Sequence, residues 1–302
     1  MKLGLSLPNN QGVAHVRDLI TLAIDAERAG YHSVWVSEHL WHSSYVAQRL
    51  GDRPYHDPLT VLSAIAPLTT SIRLGTSVLV LPWHHPVRLA KTIASLDDLS
   101  QGRVDCGVGV AITADEFENL GIDFSTRGRR TDDMLAAMRA LWTQDFPHHD
   151  SDFYRFSGMR FEPKPVQEPL PIHIGGGSPA ALRRVATFGD GWHALGQSPS
   201  SMASGLQKLS AACARAGRDV GSLHISVRVS TDVLTEPFDK PISERKTLRG
   251  TESEIKATID AFEDAGVDEL IIDANTPDLA KTRAIMETVS GLLTSTSQVA
   301  PG

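Results

Sequence analysis

A chain of 302 residues, 41% hydrophobic and 22% charged, has the composition of a globular protein and the length of one large domain or two small ones. A net charge of −7 argues against nucleic acid as the main partner, and no apolar run approaches the roughly 18 residues that a membrane span needs. Two cysteines, Cys106 and Cys213, make no disulfide framework and are expected as buried thiols, and with no charged or apolar leader ahead of the first strand the expected location is the cytoplasm.

Lys2 to Leu7 reads as a strand ending at Pro8-Asn9-Asn10, and Val16 to Ala29 as an amphipathic helix stopped by Gly30. Strand two is Ser33 to Ser37, followed by a helix from Pro58 to Thr70 that Asp57 can cap. Strand three is Ile72 to Leu81, with a helix from Pro86 to Leu99. Strand four is Arg103 to Val110, with helical character over Ala114 to Leu120 and Thr131 to Trp142. Between strands four and five, residues 145 to 170 are irregular. There Phe153 to Phe156 and Met159 to Phe161 flank Ser157-Gly158, which predicts an inserted hairpin.

Pro171 to Ile174 is strand five and Trp192 to Leu195 strand six after its helix. Met202 to Ala216 is helical, and Leu223 to Val233 is strand seven. Thr251 and Glu254 form a capping box for a helix ending at Gly266. Asp268 to Asp273 is strand eight, and Pro277 to Leu293 closes the chain as a helix. Eight strand–helix alternations predict an α/β fold, a (β/α)8 TIM barrel rather than an open doubly wound sheet. The expected organisation is one barrel domain over residues 1–293 and a small, polar, flexible tail over 294–302.

The richest segment for chemistry is the turn Gly175-Gly176-Gly177-Ser178-Pro179. Ser178 suits an N-cap and Pro179 the first helical position, so bare glycine amides would meet the positive end of a helix, which is a ready anion site. In an acidic protein the positive charge must then be local, and Arg127, Arg129, Arg130, Arg160, Lys164, Arg183 and Arg184 are the available cations. The remaining strand ends, such as Glu38-His39, Ser77-Val78 and Gly107-Val108-Gly109, are rich in glycine and poor in carboxylates. There is no Gly-x-Ser-x-Gly elbow, no His-Glu-x-x-His motif and no carboxylate pair set for glycoside hydrolysis. The adjacent pairs His84-His85 and His148-His149 do not converge on one point, so no metal is expected. Open backbone, little acid–base machinery and a phosphate cradle point to chemistry done by a cofactor.

Together these segments resemble the bacterial luciferase-like monooxygenase superfamily, in its branch dependent on the deazaflavin coenzyme F420. The resemblance rests on Gly4-Leu5-Ser6-Leu7-Pro8, Ser37-Glu38-His39, Tyr55-His56-Asp57-Pro58 and the run from Arg73 to Pro82 with His85-Pro86. Gly102-Arg103-Val104, Gly107-Val108-Gly109, Glu116-Phe117, Leu120-Gly121, Arg127 to Asp132 and the stretch from Ile174 to Trp192 complete it. It implies a ring bound at the barrel mouth near Gly107 and Gly109, with its phosphate at Gly175, Gly176 and Gly177, assisted by Ser178. It also implies His39 beside the ring as the catalytic acid–base group, and Ser77-Val78 as a bulge, often with a cis peptide, backing the ring. Arg127, Arg130 and Arg183 are the expected partners of the acidic oligoglutamyl tail.

Sugar-phosphate dehydrogenases of this superfamily carry a glutamate where this chain has Ile112, and Glu116, further along, is expected to help hold its helix start, with reach to the mouth as the alternative. Ile112 with Trp41, Tyr45 and Trp83 therefore suggests an apolar substrate pocket. The implied function is hydride transfer between F420 and a small, apolar organic substrate. The alternatives are an FMN-dependent monooxygenase served by a flavin reductase, and a catalytically silent cofactor-binding barrel. A homodimer is expected through the helices Pro58 to Thr70 and Pro86 to Leu99, whose apolar faces read as wider than barrel packing requires.

Overall fold

In the computed structural model, which describes residues 1–294, eight parallel strands close into a barrel. They are β1 (Lys2–Ser6), β2 (Ser33–Val36), β3 (Arg73–Thr76), β4 (Val104–Gly109), β5 (Ile172–Gly175), β6 (Gly191–Leu195), β7 (His224–Val233) and β8 (Glu269–Asp273). Each pairs with the next in chain order, and β8 returns to β1 with Lys2 opposite Glu269 and Leu5 opposite Ile272. The helices are α1 (Val16–Arg28), α2 (Ser44–Leu50), α3 (Pro58–Ile65), α4 (Pro86–Leu99) and α5 (Asp115–Asn119) in the first half. They continue with α6 (Arg127–Thr143), α7 (Pro179–Phe188), α8 (Pro199–Arg215), α9 (Glu252–Asp264) and α10 (Leu279–Thr294). This is the expected (β/α)8 barrel. Of the expected tail, everything beyond Thr294 lies outside the described residues.

The expected caps are formed. Asp57 accepts from the Thr60 amide at 2.7 Å, Ser178 caps α7, and Thr251 with Glu254 makes the reciprocal capping box of α9. Three elements differ from expectation. The helix after β2 ends at Ile65 and passes into a 3₁₀ turn over Ala66–Leu68, because Pro67 has no N–H to continue it. Strand three stops at Thr76, breaks at the Ser77-Val78 peptide, which is cis, and resumes only for Leu79–Val80. The inserted hairpin exists, but it pairs His149–Asp150 with Arg155–Phe156, and Met159 to Phe161 form no strand. Its turn is set by Ser151, whose Oγ accepts from the amides of Phe153 (3.2 Å) and Tyr154 (3.0 Å). A short strand, Thr247–Gly250, also adds to the far end of β7.

Trp35 fills the barrel interior, and glycines make room for it and for the strand contacts beside it. A Cβ at Gly75 would run into the Trp35 ring, and one at Gly107 into the Thr76 carbonyl. The Trp35 indole donates to Ser33 Oγ at 2.6 Å, and Ser33 in turn hydrogen bonds to the buried Glu269. Burial opposes ionisation of Glu269, but bonds from His224 and Ser33 outweigh it and hold the carboxyl below its usual range. Cys106 and Cys213 are buried free thiols, and burial pushes Cys106 up to about 12.

The expected breadth of the apolar helix faces is not found. Leu62, Ile65, Ala66, Leu89, Ala90, Ile93, Ala94 and Leu96 are all buried within the protomer, and of the residues behind that expectation only Leu68 is exposed. Leu59 and Val87 are half-buried, so covering the sheet and the neighbouring helices uses most of the stripe.

Candidate active site at the barrel mouth

The C-terminal mouth is organised by the break in strand three. Val78 nests where β4 and β5 carry no side chains: a Cβ on Gly109 would lie 2.7 Å, and one on Gly175 3.1 Å, from the Val78 methyl groups. Ser77 Oγ lies 2.8 Å from His193 Nε2 and receives the Arg228 guanidinium at 3.0 Å, and Arg228 also donates to the Ser77 carbonyl at 3.1 Å. His193 stacks on Trp35 with ring centres 4.8 Å apart, and burial holds its pKa well below the ordinary imidazole value. Past the break, the buried Glu38 accepts from the Val80 amide at 2.7 Å and pairs with His84 Nε2 at 2.8 Å. Burial disfavours a charged His84, but the Glu38 bond outweighs it and raises the pKa.

The loop after β2 carries His39. Tyr55, Trp83 and Tyr45 surround its ring at 5.6, 5.9 and 6.4 Å between centres. His39 Nδ1 lies 2.6 Å from Glu116 Oε2, and the other oxygen of this buried carboxylate accepts from the amides of Leu40 (2.9 Å) and Trp41 (3.3 Å). Glu116 thus reaches the mouth loop instead of holding its helix start, and its own amide is bonded by Asp115 Oδ1 at 3.1 Å. His39 Nε2 has no protein partner among the described residues, and the side chain is 22% exposed.

The glycine turn enters α7 as expected. Gly176 takes φ +98°, Gly176 and Gly177 are exposed, and the amides of Gly177 and Ser178 find no protein acceptor among the described residues. Gly177 faces open space, while the Gly176 carbonyl is fixed by the Trp192 indole at 2.7 Å. Of seven buried polar side-chain atoms without a hydrogen bond among the described residues, five lie in or beside the mouth loops, Asn10 Oδ1, Ser43 Oγ, Arg49 Nε, Trp83 Nε1 and Thr113 Oγ1, while a sixth, Arg228 Nε, is ion-paired with Asp273 Oδ2 at 3.3 Å. Buried polar atoms are seldom left unpaired, so this end of the barrel has unused hydrogen-bonding capacity. Free amides at a helix start, an apolar shelf at Val78 and these polar atoms fit a flat ring bearing a phosphate.

The structure brings His39, Tyr45 and Trp83 together, and separately Ser77, Val78, Gly109 and Gly175. Trp41 and Tyr45 are 44% and 55% exposed, whereas Ile112 is 92% exposed and stands clear of any packed pocket. Gly107 is buried, and its missing side chain serves the contact with Thr76. Arg183 pairs with Asp132 at 2.9 Å while remaining 63% exposed. Arg127 lies over the Phe124 ring and Arg130 over that of Phe153. All three stand on α6 and α7, which Arg184 ties together by reaching Asp132 and the Gly128 carbonyl.

The sequence carries Glu38 and Tyr55 as parts of the resemblance with no role attached, and no motif in it marks Arg228 or the His39 partner of Glu116. Alternation along β7 could have found Arg228, since Ser226, which bonds His193 at 2.9 Å, shares its face. Among the described residues no helix is long and apolar enough to cross a membrane, and no group of three or more His, Cys, Asp or Glu could hold a metal.

Comparison with known proteins gives this geometry a context. An uncharacterised Mycobacterium tuberculosis protein is 36% identical over 179 residues, 55% of this chain and 64% of that protein, so the match spans less than two thirds of this curated relative. The F420-dependent glucose-6-phosphate dehydrogenase of Amycolatopsis mediterranei is 32% identical over 58% of this chain and 52% of its own. The oxygenase component of the flavin-dependent trigonelline monooxygenase of Acinetobacter baylyi is 31% identical over 51% and 41%. Two solved structures share the fold. A Streptomyces bottropensis monooxygenase has TM-score 0.83 at 24% identity, covering 98% of this chain and all of its own. An F420-dependent secondary alcohol dehydrogenase has TM-score 0.80 at 19% identity, covering 96% and 97%. Residues 1–237 match the luciferase-like monooxygenase family, and the chain belongs to it.

Proposed function

We propose that the protein is an F420-dependent oxidoreductase that moves a hydride between the deazaflavin and a small, apolar organic substrate. The observation that carries this reading is the convergence at one mouth of His39 with a free Nε2, the Val78 shelf, and the free amides of Gly177 and Ser178. A bound deazaflavin supplies a two-electron hydride donor or acceptor. In this reading Gly176, Gly177 and Ser178 hold its phosphate, and Val78 backs its ring against Gly109 and Gly175. Arg127, Arg130 and Arg183 meet its acidic tail. His39 Nε2 takes the substrate proton or returns it, while the exposed Trp41 and Tyr45 present apolar surface to the substrate and the buried Trp83 packs beside the His39 ring. The 32% identical F420-dependent relative supports the choice of deazaflavin.

A second reading, an FMN-dependent monooxygenase served by a flavin reductase, draws support from the 31% identical flavin-dependent relative. The protein in either case acts in the cytoplasm on a small molecule. The homodimer rests on the family resemblance alone, now that the faces of α3 and α4 are seen to be covered; light scattering showing only the 32.7 kDa monomer would remove it. The functional test is a screen of reduced F420 against enones, imines and ketones. Substrate-dependent reoxidation without oxygen is the expected result, and reoxidation that needs oxygen, or turnover with reduced FMN alone, would favour the second reading.

A further inference from the structure

Two consecutive carboxylates at the start of α5 hold opposite ends of the loop after β2. Glu116 takes His39 Nδ1 together with the Leu40 and Trp41 amides, and Asp115 Oδ2 takes the Ser44 amide at 2.9 Å and the Ser44 hydroxyl at 3.0 Å. Only Glu116 touches the imidazole. We propose that Glu116 is a positioning residue that fixes His39 as the Nδ1–H tautomer and leaves Nε2 as the lone-pair nitrogen facing the mouth. The proposal rests on the reading of His39 as the proton-handling group.

The bonding pattern carries the argument. Glu116 Oε1 accepts from two backbone amides, and with the ionised carboxylate as acceptor at both oxygens the imidazole nitrogen 2.6 Å from Oε2 is the donor. Which nitrogen of a neutral histidine carries the proton is set by the bond the other end makes. The carboxylate is 1% exposed, so water does not compete for it, and the rings of Tyr55, Trp83 and Tyr45 restrict the tilt of the imidazole. Three donors need two full acceptor oxygens. A glutamine at 116 offers one, and turns an N–H₂ toward at least one donor.

Asp115 supplies the control, because Asp115→Asn keeps a carbonyl oxygen for the Glu116 amide, loosens the Ser44 end of the same loop and does not touch His39. The test is ¹⁵N-histidine NMR of the protein without cofactor, the His39 signals being assigned by their loss in His39→Gln. At a pH where the imidazole is neutral, wild type and Asp115→Asn are expected to show one N–H-type and one lone-pair-type nitrogen from a single Nδ1–H tautomer. Glu116→Gln is expected to lose the single Nδ1–H tautomer, giving a mixture or the Nε2–H form. Glu116→Asp, which keeps the charge but draws it back by one methylene, is expected to do the same and covers the case in which the glutamine variant does not fold. Retention of the single tautomer in the folded Glu116 variants, or equal mixing in Asp115→Asn, would overturn the proposal. With a working substrate, Glu116→Gln should lower kcat at least about tenfold with KM little changed, and Asp115→Asn should move KM instead. Because the NMR needs no cofactor, a failure of F420 to support turnover strikes the functional reading and leaves the tautomer result to judge Glu116.

Discussion

Ser77 Oγ and His193 Nε2 stand 2.8 Å apart, which ties the bulge at the barrel mouth to the aromatic interior through the His193–Trp35 stack. Burial, with the nearby His173, Arg228 and His224 charges, keeps His193 neutral well below its ordinary pKa. The unfolded chain takes up a proton at this position below about pH 6.5, and the folded chain does not. The His193 contribution to stability is therefore complete above about 6.5 and falls as pH drops, by up to about 1.4 kcal/mol per pH unit. His84 runs the other way: its raised pKa adds stability in acid that fades as pH rises through the folded value. Melting temperatures followed from pH 7 to 5 should fall less steeply in His193→Gln than in wild type. An identical slope would show that His193 is not the group being charged.

Gly107 and Gly177 make a matched pair for separating packing from binding. A methyl at 107 meets the Thr76 carbonyl, a backbone atom that cannot step aside, so Gly107→Ala should cost about 3 kcal/mol or more and yield little folded protein. Near-native melting of that variant would show that β3 and β4 can separate at this level.

At Gly177 there is open space, so Gly177→Asp should fold with an unchanged melting temperature. The new carboxylate would stand where the phosphate is proposed to sit and should weaken cofactor binding by at least about tenfold, close to 1.4 kcal/mol. Binding equal to wild type in the folded variant would put the phosphate elsewhere.

The barrel itself was legible because each strand is short and apolar and the helix starts are marked by Asp57, Ser178 and the Thr251–Glu254 pair. The break in strand three was hidden in plain composition: Ser77 to Leu81 alternates no polarity and reads as continuous strand, while the bend depends on empty space at Gly109 and Gly175 on other strands. Helix α2 escaped notice because seven residues with only Val46 and Leu50 buried are too short to show a period. The Glu116–His39 pair spans 77 residues, and nothing local distinguishes Glu116 from a carboxylate in the first turn of a helix. The wide apolar stripe of α3 and α4 misled in the opposite direction, since periodicity cannot tell a face buried inside the protomer from one awaiting a partner.

The cofactor is identified most directly by a fluorescence titration of the purified protein with oxidised F420 and, separately, with FMN. Saturable F420 binding that weakens as salt is raised is expected, since the acidic tail is proposed to meet Arg127, Arg130 and Arg183, with no tight binding of FMN. Tight FMN binding with no response to F420 would contradict it.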